Sequence, residues 1–229
     1  MTKATIITDI RARLNETTAA FWTDAQLLVW MNHRYQDLVT AIETVFENYF
    51  ITEATADMNE DQQEYTLPSD FKRMRRVELN YDITSNADNF KKATSISLDD
   101  VQTRLENDDL GVAALPSYYI QGDILGFLPI PDKDGTAALK IWYIAEQDDL
   151  SDDDDEPAIP AQYHRLISIG TCADALMKGK RDLQGSAMFE RMYQEERERM
   201  QSELEDRVAE GVRLTTDLSG QGLDFGPRR

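Results

Sequence analysis

The strongest hydrophobic pattern in the chain is a long stripe near its start. Leu27, Met31, Tyr35, Leu38, Ile42, then Val45 or Phe46, and Tyr49 recur at steps of three and four, which keeps them on one side of a helix. Thr23-Asp24-Ala25-Gln26 opens the stripe as a capping box, and no Gly or Pro interrupts it. The pattern predicts a helix from Trp22 to Phe50, roughly 40 Å long at the α-helical rise. A helix of that length needs partner helices along it, so it is the element around which the chain is expected to organise. Upstream, Ile6, Ile7, Ile10 and Leu14 predict a first helix over residues 3–15. Phe21 and Trp22 precede the long helix as core or staple aromatics.

After Phe50 the period drops to two. Residues 51–56 are Thr-rich and alternate, Glu64–Leu67 is a short strand stopped by Pro68, and Ser69-Asp70-Phe71 makes a turn. Val77, Leu79 and Tyr81 alternate with polar residues, and residues 82–94 read as a loop. Ser97-Leu98-Asp99-Asp100 starts a short helix to about Asn107, with Val101 and Leu105 inward. Pro116–Ile120 and Ile124–Leu128 flank Gly122-Asp123, a two-residue hairpin cue. Pro129 and Pro131 end that run, and Ala137–Ile144 closes the set. Residues 51–146 therefore predict a mostly antiparallel β unit, a small sandwich or barrel-like sheet.

The period returns to helical after Pro160, placed at a helix start, with Tyr163, Leu166, Ile167, Gly170, Ala173, Leu176 and Met177 on one face. Gly170 and Ala173 allow close helix approach, and Gly179 is a stop signal. A last helix is predicted from about Ser186 to Val212, with a thin stripe (Phe189, Met192, Tyr193, Met200, Leu204, Val208) and a Glu/Arg face. The final stretch, TTDLSGQGLDFGPRR, has too many glycines for a regular element, and its Leu218, Leu223 and Phe225 suggest ordering on a partner. The fold class is α+β: a helical bundle from both chain ends (1–50 and 157–212), an inserted antiparallel β domain (51–146), an acidic linker (147–156) and a flexible tail (213–229).

Charge and chemistry narrow the function. A net charge of −19 opposes gripping DNA phosphates, though it permits surrounding a duplex. QDDLSDDDDE at 147–156 reads as a solvated linker; it lacks the glycine that a calcium loop uses at its turn. One cysteine, Cys172, permits no intrachain disulfide and no Cys-based zinc site, and fits a reducing cytoplasm. His33 and His164 fall on different helices, and His164 reads as a structural hydrogen-bonder. No signal peptide or membrane span is expected. Dinucleotide, Walker A and Gly-x-Ser-x-Gly motifs are missing, so no cofactor, metal or catalytic set is assigned.

Several stretches, taken in order, carry a resemblance. They are Trp22-x-Asp24-x-x-Leu27, Asn32-x-x-Tyr35, Tyr65-x-Leu67-Pro68-x-Asp70-Phe71, Pro116-x-Tyr118-Tyr119, Pro129-x-Pro131 before a strand ending in Tyr143, and Ile159-Pro160-x-x-Tyr163-His164. Together they resemble the head–tail adaptor (connector) proteins of tailed bacteriophages, of the tail tubular protein A type. The resemblance implies a virion structural protein of the neck, made in the host cytoplasm. It implies a ring, dodecameric in such adaptors, under the portal protein, with tail or nozzle proteins on its far side and DNA enclosed without specific binding. It also implies that the C-terminal segment, with Leu218, Leu223, Phe225, Arg228 and Arg229, docks on the portal. A different class of reading is a wall-degrading virion hydrolase with an acidic active site. The interaction tail favours the adaptor; a catalytic constellation would favour the hydrolase.

Overall fold

The long N-terminal helix starts where its cap demands. In the computed structural model, Thr23 Oγ1 accepts from the Gln26 amide and the Gln26 side chain accepts from the Thr23 amide, completing the capping box. The structure describes residues 1–16, 18–19, 21–82, 87–106, 116–178 and 182–219, with the side chains of 104–106 and 208–219 left aside. Helix α1 is Lys3–Arg13 and α2 is Asp24–Val45. The predicted extension of α2 to Phe50 is not realised: Phe46 leaves helical geometry and Tyr49 turns back to donate to the Phe46 carbonyl. Its stripe was continuous in hydrophobicity, but residues 47–50 form a turn, with the Phe46 and Tyr49 rings in edge-on contact.

The chain divides into two compact units, Met1–Tyr49 with Gln147–Arg229, and Phe50–Glu146. The fold is α+β. In the first unit, α1, α2 and α5 (Leu183–Ser219) all pack on α4 (His164–Met177). The organising element is thus α4 rather than α2. Its sequence, HRLISIGTCADALM, is apolar or small on nearly every side, and ten of its residues from His164 to Ala175 are buried. Gly170 is required there: a Cβ would meet the Arg34 side chain at 2.8 Å and the Tyr193 ring at 3.0 Å. Pro160 does not open the helix; it precedes a 3-10 turn, Ala161–Tyr163, whose last amide donates to its carbonyl. Gly179 lies outside the described residues.

Helix α5 begins earlier and runs further than its stripe predicted. Asp182 is the signal that was missed: its carboxylate accepts from the Gly185 amide and its carbonyl from the Ser186 amide. The helix continues to Ser219, so the first residues of the expected flexible tail belong to a regular element. Tyr193, Met200 and Leu204 are its buried stripe, and Arg191–Glu195 and Arg199–Glu203 lace the outer face.

The acidic stretch is not a free linker. Leu150 is buried, and its amide and carbonyl are bonded by the Asn32 side chain at 3.1 and 3.2 Å. The Asp155 carboxylate accepts from the Ser151 and Asp152 amides, both at 2.7 Å. The Asp155 and Asp153 carbonyls in turn accept from the first amides of α1, Lys3 and Ala4. The acidic residues are therefore held against the positive end of a helix, where orphan amides need acceptors.

The second unit holds two four-stranded sheets. Strands are β1 Ile51–Met58, β2 Glu64–Thr66, β3 Phe71–Leu79, β4 Lys91–Lys92, β5 Thr94–Ser95, β6 Ser117–Gln121, β7 Ile124–Leu128 and β8 Gly135–Ala145. Their orders are β1-β8-β3-β4 and β2-β7-β6-β5. Both sheets contribute to one core of Met58, Val77, Leu79, Leu125, Phe127 and Ile141 among others. The β6–β7 hairpin closes on Gly122 with φ +58, as its two-residue loop requires. One expectation is corrected: the span 82–94, read as a loop, contains β4 and the first residue of β5. The turn at Ser69-Asp70 is present, closed by the Phe71 amide on the Pro68 carbonyl, and Phe71 also begins β3. The unit is mostly antiparallel as expected, with β5 pairing in parallel to β6. The two-residue strands are too short to show a period. Helix α3 is Leu98–Glu106, with Val101 half-buried; the side chain of Leu105 is not among those described.

Candidate interaction surfaces

The signature residues of the sequence fall into two structural clusters, one in each unit. Trp22 is buried, stands edge-on to Phe21 with centroids 5.0 Å apart, and donates its indole N–H to the Ala175 carbonyl at 2.9 Å. Arg11 reaches over to donate to the Trp22 carbonyl and, through Nε and Nη2, to the Asp24 carboxylate. Asp24 also sits in the first turn of α2, where a negative charge is favoured. In the β unit, Tyr65 stacks on Phe127 at 5.2 Å and its hydroxyl accepts from the Asn59 amide. The Pro68 carbonyl accepts from the Phe71 amide, and Phe71 packs on Tyr143, whose hydroxyl donates to Asp70. The Leu128–Pro129 peptide is cis, and the Pro129 carbonyl accepts from Tyr81. Each of these residues acts through a cap, a turn or a ring contact. Of the tail residues, Leu218 lies on α5 with its side chain undescribed, and Leu223, Phe225, Arg228 and Arg229 lie outside the described residues.

A polar hub that the sequence reading missed joins three helices. Arg34 forks onto both oxygens of Asp174 at 2.7 Å, reaches Glu190 at 2.7 Å, and lies 4.8 Å from the Tyr193 ring centroid. Tyr193 donates to Asp37 at 2.6 Å. Burial works against the guanidinium charge, but the hydrogen bonds and charges of Asp174 and Glu190 outweigh it and raise its pKa. Burial opposes the Glu190 charge too, yet the Arg34 and Gln194 bonds leave its pKa lowered. The only sequence trace of this hub is a charged residue opposite a glycine on two different helices, which no local pattern pairs.

His164 is a structural hydrogen-bonder. It is buried, its Nε2–H donates to the Ile159 carbonyl at 3.0 Å, and its Nδ1 accepts from the Met1 amine at 2.8 Å. Cys172 is buried as well, and burial pushes its thiol up to about 12, away from nucleophilic chemistry. Among the described residues no group of three or more His, Cys, Asp or Glu is placed to hold a metal, and no helix is long and apolar enough to cross a membrane.

One sheet gathers cations against the sign of the whole chain, with Glu53 and Glu78 among them. Strand β3, FKRMRRVEL, has Lys72, Arg73, Arg75 and Arg76 exposed, and Lys91 and Lys92 follow on β4. Register places Arg76 beside Trp142, and Glu78 between Lys140 and Lys92, on the sheet face opposite the core. The Arg76 guanidinium lies 5.1 Å from the Trp142 ring and pairs with Glu78, and the Lys140 ammonium lies 4.1 Å from the Phe90 ring. The net charge of −19 concealed this patch, although four cations in nine residues were legible.

Comparison with known families gives the class of the chain. Residues 1–215 match the family model described as SU10 adaptor protein. The chain belongs to the SU10 adaptor family. No curated protein matches it. The adaptor is accordingly a bacteriophage structural protein, in agreement with the head–tail adaptor resemblance drawn from its motifs. Its family is structural rather than enzymatic, and a phage structural adaptor is a virion component.

Proposed function

We propose that this adaptor forms a ring beneath the portal protein of a tailed phage, dodecameric like the rings of similar adaptors, extends the DNA channel and provides the attachment site for tail or nozzle proteins. The observation that carries the reading is membership of an adaptor family over residues 1–215. The charge of −19 supports it, since an acidic conduit repels a passing duplex and does not retain it. The C-terminal segment supplies the portal anchor: Leu218, Leu223 and Phe225 for apolar contact, Arg228 and Arg229 for acidic groups on the portal. The protein is a monomer or weak oligomer alone, and the ring closes on the portal, where many identical contacts act together.

The test is electron microscopy of the adaptor with and without portal. The expected result is a closed ring on portal only. A chain ending at Arg213, which removes Leu218 with the rest of the anchor segment, is expected to keep its melting behaviour while failing to attach to portal. Undiminished attachment would move the anchor elsewhere, and a stable ring at micromolar concentration without portal would end the nucleation account.

A further inference from the structure

A ring built from identical copies needs two different surfaces that fit each other, because only a heterologous contact propagates around a closed circle. For a chain of −19 this is a physical problem: neighbouring copies repel unless their contact is locally of opposite sign. The molecule carries a cation-bearing sheet face and an acidic loop. On the β unit, the outer face of the β1-β8-β3-β4 sheet presents Arg76, Lys92 and Lys140 around Trp142 and Phe90, with Glu78 paired to Arg76 and Glu53 opposite Trp142; Lys91 stands on the β4 edge, in register with the core residue Leu79. On the helical unit, the loop after Leu150 presents Asp152, Asp153 and Asp154, all exposed. This loop is pinned rather than mobile. Asp155 folds it by accepting from the Ser151 and Asp152 amides, and Asn32 fixes its start. Pinning matters energetically, because a charge held in place loses little freedom on docking.

We propose that the basic, aromatic face of the β1-β8-β3-β4 sheet docks the acidic Ser151–Asp155 loop of a second copy of this chain. The inference rests on the ring reading above and names the contact that closes the ring. Arg76 and Lys140 are already steered by Trp142 and Phe90, which leaves two partly exposed rings beside the charges as apolar contact area. The occupant is chosen by charge: duplex DNA is also anionic, but the rest of the chain repels a long polyanion, whereas a short acidic loop meets only the patch.

The test is a charge swap in the full chain. One variant, Lys91→Glu with Lys92→Glu, reverses the edge of the basic face. The other, Asp152→Lys with Asp154→Lys, reverses the loop and leaves Asp155 and the Lys3–Asp153 pair intact. Each is mixed with isolated portal, and copies bound per portal are counted by mass photometry. Either variant alone is expected to lose ring closure, with occupancy down about tenfold or more. An equimolar mixture is expected to restore closure, because each reversed surface then meets its complement on the neighbouring copy. A basic-face variant that closes rings alone, or a mixture that stays open while both proteins keep native circular dichroism, overturns the proposal. So does a gel shift in which the wild type binds duplex DNA and the basic-face variant does not, since the face would then serve nucleic acid. If the Glu variant does not fold, Lys91→Gln with Lys92→Gln carries the test: ring closure must become weaker and less salt-sensitive than wild type, and unchanged salt sensitivity refutes the contact. Failure of the wild type to form any ring on portal would instead remove the ring reading itself, which distinguishes the two ideas.

Discussion

The two units of this chain are held together by different physics. The β unit relies on one apolar core: Phe127, Leu125, Val77 and Leu79 are each almost wholly buried, with tyrosines at the rim tying their hydroxyls to acids. Tyr119 donates to Glu64 and Tyr143 to Asp70, and burial together with those acids pushes both phenols up to about 12. The helical unit also has a core, but it adds directional contacts between segments far apart in sequence. Trp22 meets Ala175, Asn32 meets Leu150, and Arg34 meets Asp174 and Glu190. The difference follows from topology. Strands joined by short loops find their neighbours by local pairing, whereas a bundle made from both ends of a chain must choose among similar helix faces. Polar contacts that fit only one arrangement make that choice specific.

The comparison is broken most severely by Phe127→Ala. Emptying this fully buried site is expected to cost about 4 kcal/mol and to melt the β unit first. Thermal unfolding followed by far-UV circular dichroism at the helical band and by hydrogen exchange of the strand amides separates the two: helical signal should outlast strand protection. A single transition shifted equally in both would show that the units do not differ in their supports. Next is Arg34→Ala, expected to cost about 3 kcal/mol by leaving Asp174 and Glu190 facing each other without their cation. Urea unfolding should report this loss in the helical signal. If the cost is under about 1 kcal/mol, the hub is a surface ion pair and not a specificity device.

Gly126→Ala sharpens the β side. An added Cβ would sit 2.1 Å from the Tyr119 ring, so the ring must move and surrender its bond to Glu64. The expected cost is about 2 kcal/mol, measured by urea denaturation, and Tyr119→Ala in the same background should relieve part of it. The smallest effect belongs to Asp155→Asn. Backbone bonds from Asp152 and Ser151 lower the Asp155 pKa, so its folded value lies below the unfolded one. Its contribution is therefore present above the unfolded value, about 3.9, and disappears as pH falls through the folded value. Melting temperature against pH should show that acid-side step in wild type and not in Asp155→Asn. Asp152→Asn with Asp154→Asn should leave the curve unchanged, since both are exposed and only Asp155 accepts the loop's amides.

Legibility in the sequence tracked the range of the contact involved. Thr23-x-x-Gln26, Gly122-Asp123 and the periodic stripes of α1, α2 and α4 were readable because each is decided within a few residues. The candidate interaction surfaces were less so. The tail residues were marked by composition alone, and the basic face was hidden by an overall charge of the opposite sign. The acidic stretch was misread for a related reason. Its charges announced a solvated linker, but Asn32 and the amides of Lys3 and Ala4, remote in sequence, supplied the bonds that fix it.

By itself, the sequence marked most of the helices and the longer strands, where Thr23 starts α2 and Gly122 turns the chain, and that a β unit lies between two helical stretches of the sequence. Those outcomes rest on caps, turns and periodicity, which act over one or two turns of chain. Only the tertiary structure decided that α4 rather than α2 sits at the centre, that Arg34 joins three helices across Gly170, and that β5 lies parallel to β6. It also decided that cations spread over β3, β4 and β8 share one face. Each of these requires residues separated by a long stretch of chain to meet, and their meeting is set by how the whole set of buried surfaces and hydrogen-bonding groups can be satisfied at once.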